Sequence, residues 1–233
     1  MGFLLGERHK VPAFVSYSRW LLTFGNLFVL SRLFVVTGRG TPGAGDNLIV
    51  SAMLPELAAL FANLDYRGKS TLCRTRLIFV SFDAEESGLR GAKEFVRRHR
   101  TELQSLPTYM LNIDCVYKVD DVQFLTTDIN NTCHLSRKLA EKCAGLAGKA
   151  GYPQNLNRMP FGGGGTDAAP FVHVGVKATT LVAMPVGLIR DDLVYHTLRD
   201  TVDAIEIEAV EACLQIAHDL ILDIDQNPDG WTD

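Results

Sequence analysis

The chain has 233 residues, of which 47% are hydrophobic and 21% are charged, and its net charge at pH 7 is −4. This length predicts one globular domain whose core needs neither metals nor disulfides, so any bound metal is expected to be functional. The acidic balance argues against a nucleic-acid-binding protein. Five widely spaced cysteines without a C-x-x-C pair argue against a disulfide scaffold or a zinc ribbon and favour buried free thiols.

Residues 11–37 form a strongly apolar stretch whose only charges are Arg19 and Arg32. The best uninterrupted apolar run, 20–30, is shorter than the roughly 20 residues that span a bilayer. Three interpretations stay open: a buried helix with an edge strand, a signal peptide or signal anchor, and a wrongly assigned start of the reading frame. Membrane contact is expected only through this segment. A signal would make the protein secreted, periplasmic or membrane-anchored, and otherwise it is expected in the cytoplasm.

From Gly38 onward, the sequence alternates between strand-like and helix-like patterns. Helices are predicted over 48–64, 87–103, 131–149 and 205–224, and strands over 75–82, 109–116, 122–126 and 178–184. Pro55 is expected to kink or shorten the first of these helices, because it has no amide hydrogen. The alternation predicts an α/β domain with a mostly parallel sheet that helices cover on both faces.

Acidic side chains follow the predicted strands, where ligand sites form in open α/β sheets. Glu85 and Glu86 come after strand 75–82, and Asp114 ends the apolar run of strand 109–116; Asp46, His196 and Asp200 lie in loops. Consecutive side chains leaving a strand point in opposite directions, so one glutamate can bind a metal while the other faces the space beside it. Carboxylate and imidazole ligands suit a metal-assisted hydrolase, although an exposed acidic turn would also produce this pair.

Five segments are more specific than this general pattern. They are GTPGAGDN (40–47), IFVSFDAEESGLRGAKEFV (78–96), LNID (111–114), GGGGTDAAPF (162–171) and YHTLRDTVDAI (195–205). In order and spacing they resemble the zinc aminopeptidases of metallopeptidase family 28, which also contains the glutaminyl-peptide cyclotransferases. The resemblance covers about residues 38–224. It implies one α/β domain with a mixed, largely parallel sheet, two zinc ions and a peptide or aminoacyl substrate. Residues 1–37 then form an atypical N-terminal segment, and 38–233 a metallopeptidase-like catalytic domain.

The resemblance also implies roles for individual residues. Asp46 resembles the carboxylate that bridges both metals, Glu86 and His196 resemble the other ligands of one metal, and Asp114 resembles a ligand of the second. Glu85 resembles the general base that takes a proton from water and returns it to the leaving amine. Asp200 is expected to accept a hydrogen bond from the free ring nitrogen of His196.

The glycine-rich segment GGGGTDAAPF has two interpretations. Thr166 or Asp167 can cap a helix that has Pro170 near its start, which makes the segment an ordinary helix-start loop. Alternatively, the loop walls the substrate pocket and Asp167 lies near the amino group of the substrate. Tyr195, beside His196, either donates a hydrogen bond from its hydroxyl group to a developing oxyanion or has only a packing role.

The sequence departs from the family upstream of Asp46. Family members carry a histidine, and an aspartate two residues later, shortly before the bridging aspartate. The matching stretch here, LFVVTGRGTPGAGDN (33–47), contains no histidine and no aspartate before Asp46. One metal position then keeps only Asp46 and Asp114, a pair that suits zinc poorly. Three hypotheses stay open: a zinc aminopeptidase, a single-zinc enzyme similar to the glutaminyl cyclases, and an inactive relative or fragment. Carboxypeptidase specificity on the same scaffold also stays open.

Overall fold

The computed structural model describes residues 13–32, 40–62, 72–160, 162–185 and 193–231. It divides into two units, Met1–Gly40 and Thr41–Asp233. In the first unit, helix α1 spans Ala13–Arg32, and its described side chains at 17–26 are almost all exposed. Residues 11, 12 and 33–37 lie outside the described residues, so the edge strand considered within 11–37, and the role of this segment, stay predictions.

The second unit holds the α/β domain. Its helices are α2 (Ile49–Ala62), α3 (Arg90–Ser105), α4 (Arg137–Lys149), α5 (Ala168–Val172) and α6 (Ile207–Gln226). Its strands are β1 (Tyr109–Val116), β2 (Val122–Asp128), β3 (Cys133–His134), β4 (Asn155–Arg158) and β5 (Lys177–Ala183). The long periodic segments are therefore found where the sequence predicts them, with boundaries shifted by a few residues.

The sheet is mixed, as predicted. Its order is β1-β5-β2-β3, with β4 also paired to β2. Strands β1 and β5 run parallel over their whole length, and β2 pairs in parallel with the short strand β4. Strand β2 runs antiparallel to β5 and β3. Helices α2, α4 and α6 pack on one face and α3 and α5 on the other, which confirms helices on both faces. The carboxyl ends of β1 and β5 thus meet at one edge of the sheet, where the site is found.

Helix α2 packs into the core despite its proline. Pro55 lies inside it, and Val50, Met53 and Leu57 are buried against the sheet. Together with the preceding turn, 44–62 is the one helical stretch among the described residues that is long and apolar enough to cross a membrane. Its buried side chains are those expected of a core helix.

The predicted strand 75–82 is wrong. The segment is half-buried, Ile78 is 50% exposed, and among the described residues it forms no ladder with β1 or any other strand. Its apolar composition suits a sheet, but a strand needs a neighbour for its backbone amides and carbonyls, and β1 pairs with β5 alone within the described chain.

The predicted start of helix 131–149 is also wrong. Residues 129–132 form a turn, and Asn131 has φ 68°, which a right-handed helix cannot include. The helix begins only after Ser136, whose hydroxyl oxygen accepts a hydrogen bond from the Leu139 amide at 3.3 Å. Strand β4 was missed because its sequence, NLNR, is short and polar.

Asp225, near the end of α6, holds the start of the 72–82 segment. Its carboxylate accepts hydrogen bonds from the amides of Cys73, Arg74 and Thr75 at 3.0, 2.7 and 2.8 Å. Burial acts to raise the pKa of Asp225, but these donors outweigh it and hold the pKa below its ordinary value. The contact fixes the chain that leads to Glu85 and Glu86.

Replacing Asp225 with alanine is expected to lower the free energy of unfolding by about 2–4 kcal/mol, because three backbone donors lose a charged acceptor. Denaturant unfolding measures the change. Asp219→Ala, on the same helix but bonded only to neighbouring side chains, is the control and is expected to cost less than about 1 kcal/mol. Equal losses in the two variants would show that Asp225 does not anchor the segment.

Candidate metal centre

Asp46 lies in an irregular turn before α2 that another carboxylate holds in place. Asp200 is fully buried and accepts hydrogen bonds from the amides of Gly45 and Asp46 at 2.7 and 3.3 Å, and from the Tyr117 hydroxyl at 3.1 Å. A Cβ at position 45 would collide with the Tyr117 ring, so this close approach requires glycine. Asp200 therefore orients Asp46.

The predicted bond between Asp200 and His196 is wrong. Among the described residues, the carboxylate of Asp200 contacts the backbone before Asp46 and the Tyr117 hydroxyl, and not the imidazole of His196. The reason is that the buried amides of the turn need an acceptor, and Asp200 supplies it. Asp200 still acts on the site, through Asp46.

His196 gathers two of the predicted ligands. Its Nε2 lies 2.7 Å from Glu86 Oε1 and 3.2 Å from Asp46 Oδ2, and the three donor atoms lie within 4.8 Å of one another. Hydrogen bonds to Asp46 and then Glu86 raise the pKa of His196 to about 10, and the bond to His196 lowers the pKa of Glu86. Tyr195 stacks on the imidazole, with ring centroids 3.8 Å apart. The carboxylates of Asp46 and Glu86 converge on the Nε2 of His196, so the three side chains form a candidate cation-binding site.

Asp114 lies at the end of β1 in a second group of donors. Atoms of Asp46, Asp114 and Cys115 also lie within 4.8 Å of one another, and the Cys115 thiol donates to Asp114 Oδ1 at 3.3 Å. Burial, and then the charge of Asp46, raises the pKa of Asp114 to about 7. Burial and the charge of Asp114 also raise the pKa of Cys115. From the sequence, Asp114 was expected to be a metal ligand, whereas Cys115 was expected only to be a buried free thiol.

Glu85 and Glu86 have different surroundings. The turn at 83–89 is closed by bonds from the Gly88 and Leu89 amides to the Glu85 carbonyl, at 2.9 and 2.7 Å. Glu86 contacts His196, whereas burial and then the charges of Asp114 and Glu86 raise the pKa of Glu85 to about 8. A carboxyl group with a strongly raised pKa beside a cation site has the properties of an acid or base catalyst.

The glycine-rich loop is tied to the end of β2. Asp128 is fully buried and accepts from the Thr166 amide and hydroxyl at 2.9 and 2.7 Å, while Asn130 accepts from the amides of Gly162 and Gly164. Neither Asp128 nor Asn130 was predicted, although an acidic residue at a strand end was a usable signal. Because the hydroxyl of Thr166 is already bonded within the protein, its contact with substrate stays a prediction.

Asp167 precedes α5 and has no side-chain bond to the helix, so it is not a side-chain cap. Its side chain is buried, and its Oδ1 has no hydrogen-bond partner among the described residues. Burial, and then the charge of Asp128, raises the pKa of Asp167 to about 6. A buried, unpaired carboxylate oxygen indicates a missing donor.

A pocket opens beside these carboxylates. Its polar lining residues are Asp114, Cys115, Gln123, Thr166 and Tyr195, and its larger apolar lining residues are Leu125, Met159, Pro160, Val182, Met184 and Pro185. No lysine or arginine lines it among the described residues. It can therefore hold an apolar group, with a polar or cationic group near the carboxylate of Asp114.

Known proteins are similar to this chain in sequence and in fold. The family model for Peptidase family M28 matches residues 31–221. The Probable glutamate carboxypeptidase LAMP1 of Arabidopsis thaliana is 31% identical over 173 residues, which are 69% of this chain and 24% of that protein. An aminopeptidase from Aneurinibacillus sp. strain AM-1 has a TM-score of 0.60 at 23% identity over 79% of this chain and 40% of its own.

Two further solved structures share the fold. BSAP, a zinc aminopeptidase from Bacillus subtilis, has a TM-score of 0.60 at 21% identity and covers 78% of this chain and 42% of its own. A glutaminyl cyclase from an Acidobacteriales bacterium has a TM-score of 0.53 at 18% identity over 79% and 62%. This chain thus spans about a quarter of the plant relative and less than two thirds of each of these structures.

Proposed function

We propose, since this chain belongs to peptidase family M28, that it is a zinc-dependent aminopeptidase that hydrolyses the amide bond after a free N-terminal residue. The resemblance seen in the sequence is confirmed by the family match over residues 31–221. The observation that carries the proposal is the convergence of Asp46, Glu86 and His196 within 4.8 Å, next to Glu85.

The donor set fits zinc. Two carboxylates and one imidazole nitrogen are ligands that zinc takes in catalytic sites, where three protein ligands leave a fourth position open. Zinc bound there supplies Lewis acidity, which polarises the scissile carbonyl and makes water a stronger nucleophile near neutral pH. Asp46, Glu86 and His196 would hold it, and Asp200 would keep Asp46 oriented through the backbone of the turn.

The other side chains have separate tasks. Glu85 accepts a proton from the attacking water and returns it to the leaving amine, for which a raised pKa is suitable. The unpaired oxygen of Asp167 receives the ammonium group of the substrate. Tyr195 lines the pocket beside His196 and can donate its hydroxyl hydrogen to the oxyanion. The apolar wall receives the first side chain of the substrate.

The charge of the pocket favours an aminopeptidase over a carboxypeptidase. A free terminal carboxylate requires a cationic partner, and the described lining contains neither lysine nor arginine. A free ammonium group suits the carboxylates that are present. The second candidate is a single-zinc enzyme of the glutaminyl cyclase type, which the Asp46, Glu86 and His196 set by itself would satisfy.

Zinc-loaded protein is expected to release coumarin from leucyl-aminomethylcoumarin and not from its N-acetylated form. The same preparation is tested for cyclisation of an N-terminal glutaminyl peptide and for release of a C-terminal glutamate. Cyclisation without aminoacyl hydrolysis would favour the single-zinc candidate, and C-terminal release alone would contradict the proposed end specificity. No turnover of any substrate by protein that retains zinc would support the inactive relative.

Asp167→Asn is expected to lower kcat/KM for free-amine substrates by roughly 10–100-fold, because an amide replaces the charge opposite the ammonium group. Steady-state kinetics measure the change, and zinc content is expected to stay at the wild-type level. Asp203→Asn, in the turn before α6, is the control and is expected to leave kcat/KM unchanged. An unchanged kcat/KM in Asp167→Asn would remove Asp167 from substrate binding.

A further inference from the structure

We propose that Cys115 is a metal ligand of this chain, and that it completes with Asp46 and Asp114 a second metal position in which sulfur takes the place of histidine. The inference rests on the proposed function, because it takes zinc as the bound metal. The sequence contains no histidine between His9 and His99, so the two carboxylates have no nitrogen ligand from the stretch before Asp46. The thiol is the donor that the structure brings to them.

A bulge in β1 places the sulfur there. In a regular strand, Asp114 and Cys115 would point to opposite faces of the sheet. The register with β5 instead shifts between Asp114 and Val116, and Cys115 has φ 50°. A bulge bends the strand and re-aims one side chain, and here it brings Cys115 Sγ to 3.3 Å from Asp114 Oδ1.

The surroundings of this group indicate a missing cation. Asp46 and Asp114 bring two carboxylates and the Cys115 thiol to within 4.8 Å of one another. Asp167 is itself 9% exposed, and its Oδ1 has no hydrogen-bond partner among the described residues. Among the described residues, the carboxylates of this site form ion pairs only with His196, which contacts Asp46 and Glu86. Buried carboxylates without a cation are costly, and a metal at Asp46, Asp114 and Cys115 would remove that cost.

The donor set determines which metal is suited. Two carboxylates alone suit a hard cation such as magnesium or manganese, whereas a thiolate favours zinc. On binding, the bond from sulfur to zinc replaces the bond from sulfur to hydrogen, and the proton leaves to the solvent without any change of oxidation state. The position is therefore expected to prefer zinc over magnesium, and to be lost when Cys115 is oxidised.

The chain offers matched controls for this cysteine. Cys143 and Cys213 are buried free thiols in the opposite core, packed among apolar side chains of α4 and α6. Replacing either with alanine removes a buried thiol of the same size without touching the carboxylates. Any change specific to Cys115 then reports on its position beside Asp46 and Asp114.

Metal content separates the variants. After saturation with zinc and gel filtration, Cys115→Ala and Cys115→Ser are each expected to hold about one zinc less per chain than wild type and Cys143→Ala. Zinc is also expected to protect Cys115 of the wild type from alkylation, mapped by mass spectrometry, and chelation to remove the protection. Equal zinc content in wild type and both Cys115 variants, or alkylation that zinc does not change, would overturn the proposal.

Cobalt provides a direct signature. Cobalt-loaded wild type is expected to show sulfur-to-cobalt charge-transfer absorption in the near ultraviolet, which Cys143→Ala keeps and Cys115→Ser loses. A wild type without this absorption overturns the proposal even if the variants do not fold. Absorption in a protein that hydrolyses no substrate would overturn the proposed function alone, and hydrolysis without the absorption would overturn the role of Cys115 alone.

Discussion

Glu85→Gln is expected to lower kcat by about 10²–10⁴-fold while zinc stays bound. The amide keeps the size of the side chain but cannot accept the proton of the attacking water. Glu85 is the carboxyl group whose pKa burial and the charges of Asp114 and Glu86 raise to about 8, and it does not belong to the Asp46, Glu86 and His196 donor set. Turnover and zinc content are measured on the same preparation.

Neighbouring glutamates provide the controls for Glu85. Glu86→Gln is expected to weaken zinc binding, because Glu86 contributes one of the three clustered donors. Glu102→Gln, on the exposed side of α3, is expected to change neither turnover nor zinc content. Wild-type turnover in Glu85→Gln would show that another group moves the proton, and loss of zinc from this variant would make Glu85 a ligand rather than a base.

Metal-free protein is expected to become less stable as the pH rises from about 5 to about 8, and zinc is expected to restore the stability. Burial is the largest cause that raises the pKa of Asp114 to about 7 and that of Glu85 to about 8. The folded chain therefore holds these protons more tightly than the unfolded chain. Their contribution to stability is complete below the ordinary carboxyl pKa, and it is lost as the pH rises through the folded values.

Thermal unfolding with a chelator, and again with zinc, measures this dependence. Asp114→Asn cannot ionise and is expected to flatten the chelated profile between about pH 4 and about pH 7. Glu86, whose pKa the bond to His196 lowers, has the opposite sign and is expected to matter only toward acidic pH. The thermal unfolding midpoint of the chelated protein is expected to fall between about pH 5 and about pH 8. A midpoint that stays constant over this range would show that the carboxylates are already neutralised inside the protein.

Local patterns were enough for most of the framework. Strands β1, β2 and β5 and helices α2, α3 and α6 follow from runs and periods that lie within one segment. Segment 75–82 has an equally strong strand pattern, yet it is no strand in the described chain, because ladder bonds depend on a neighbour. The residue pattern of one segment does not show which strand, if any, will pair with it in the sheet.

The candidate site divides in the same way. From the sequence, Asp46, Glu86, Asp114 and His196 were placed in loops and at strand ends, and the resemblance predicted that they belong to one site. The tertiary structure decided which atoms meet. Asp200 bonds the turn of Asp46 instead of His196, and the bulge in β1 turns Cys115 toward Asp114. Residue types and spacing specify which chemistry is available, but the direction of a side chain depends on backbone geometry and on the unpaired donors around it.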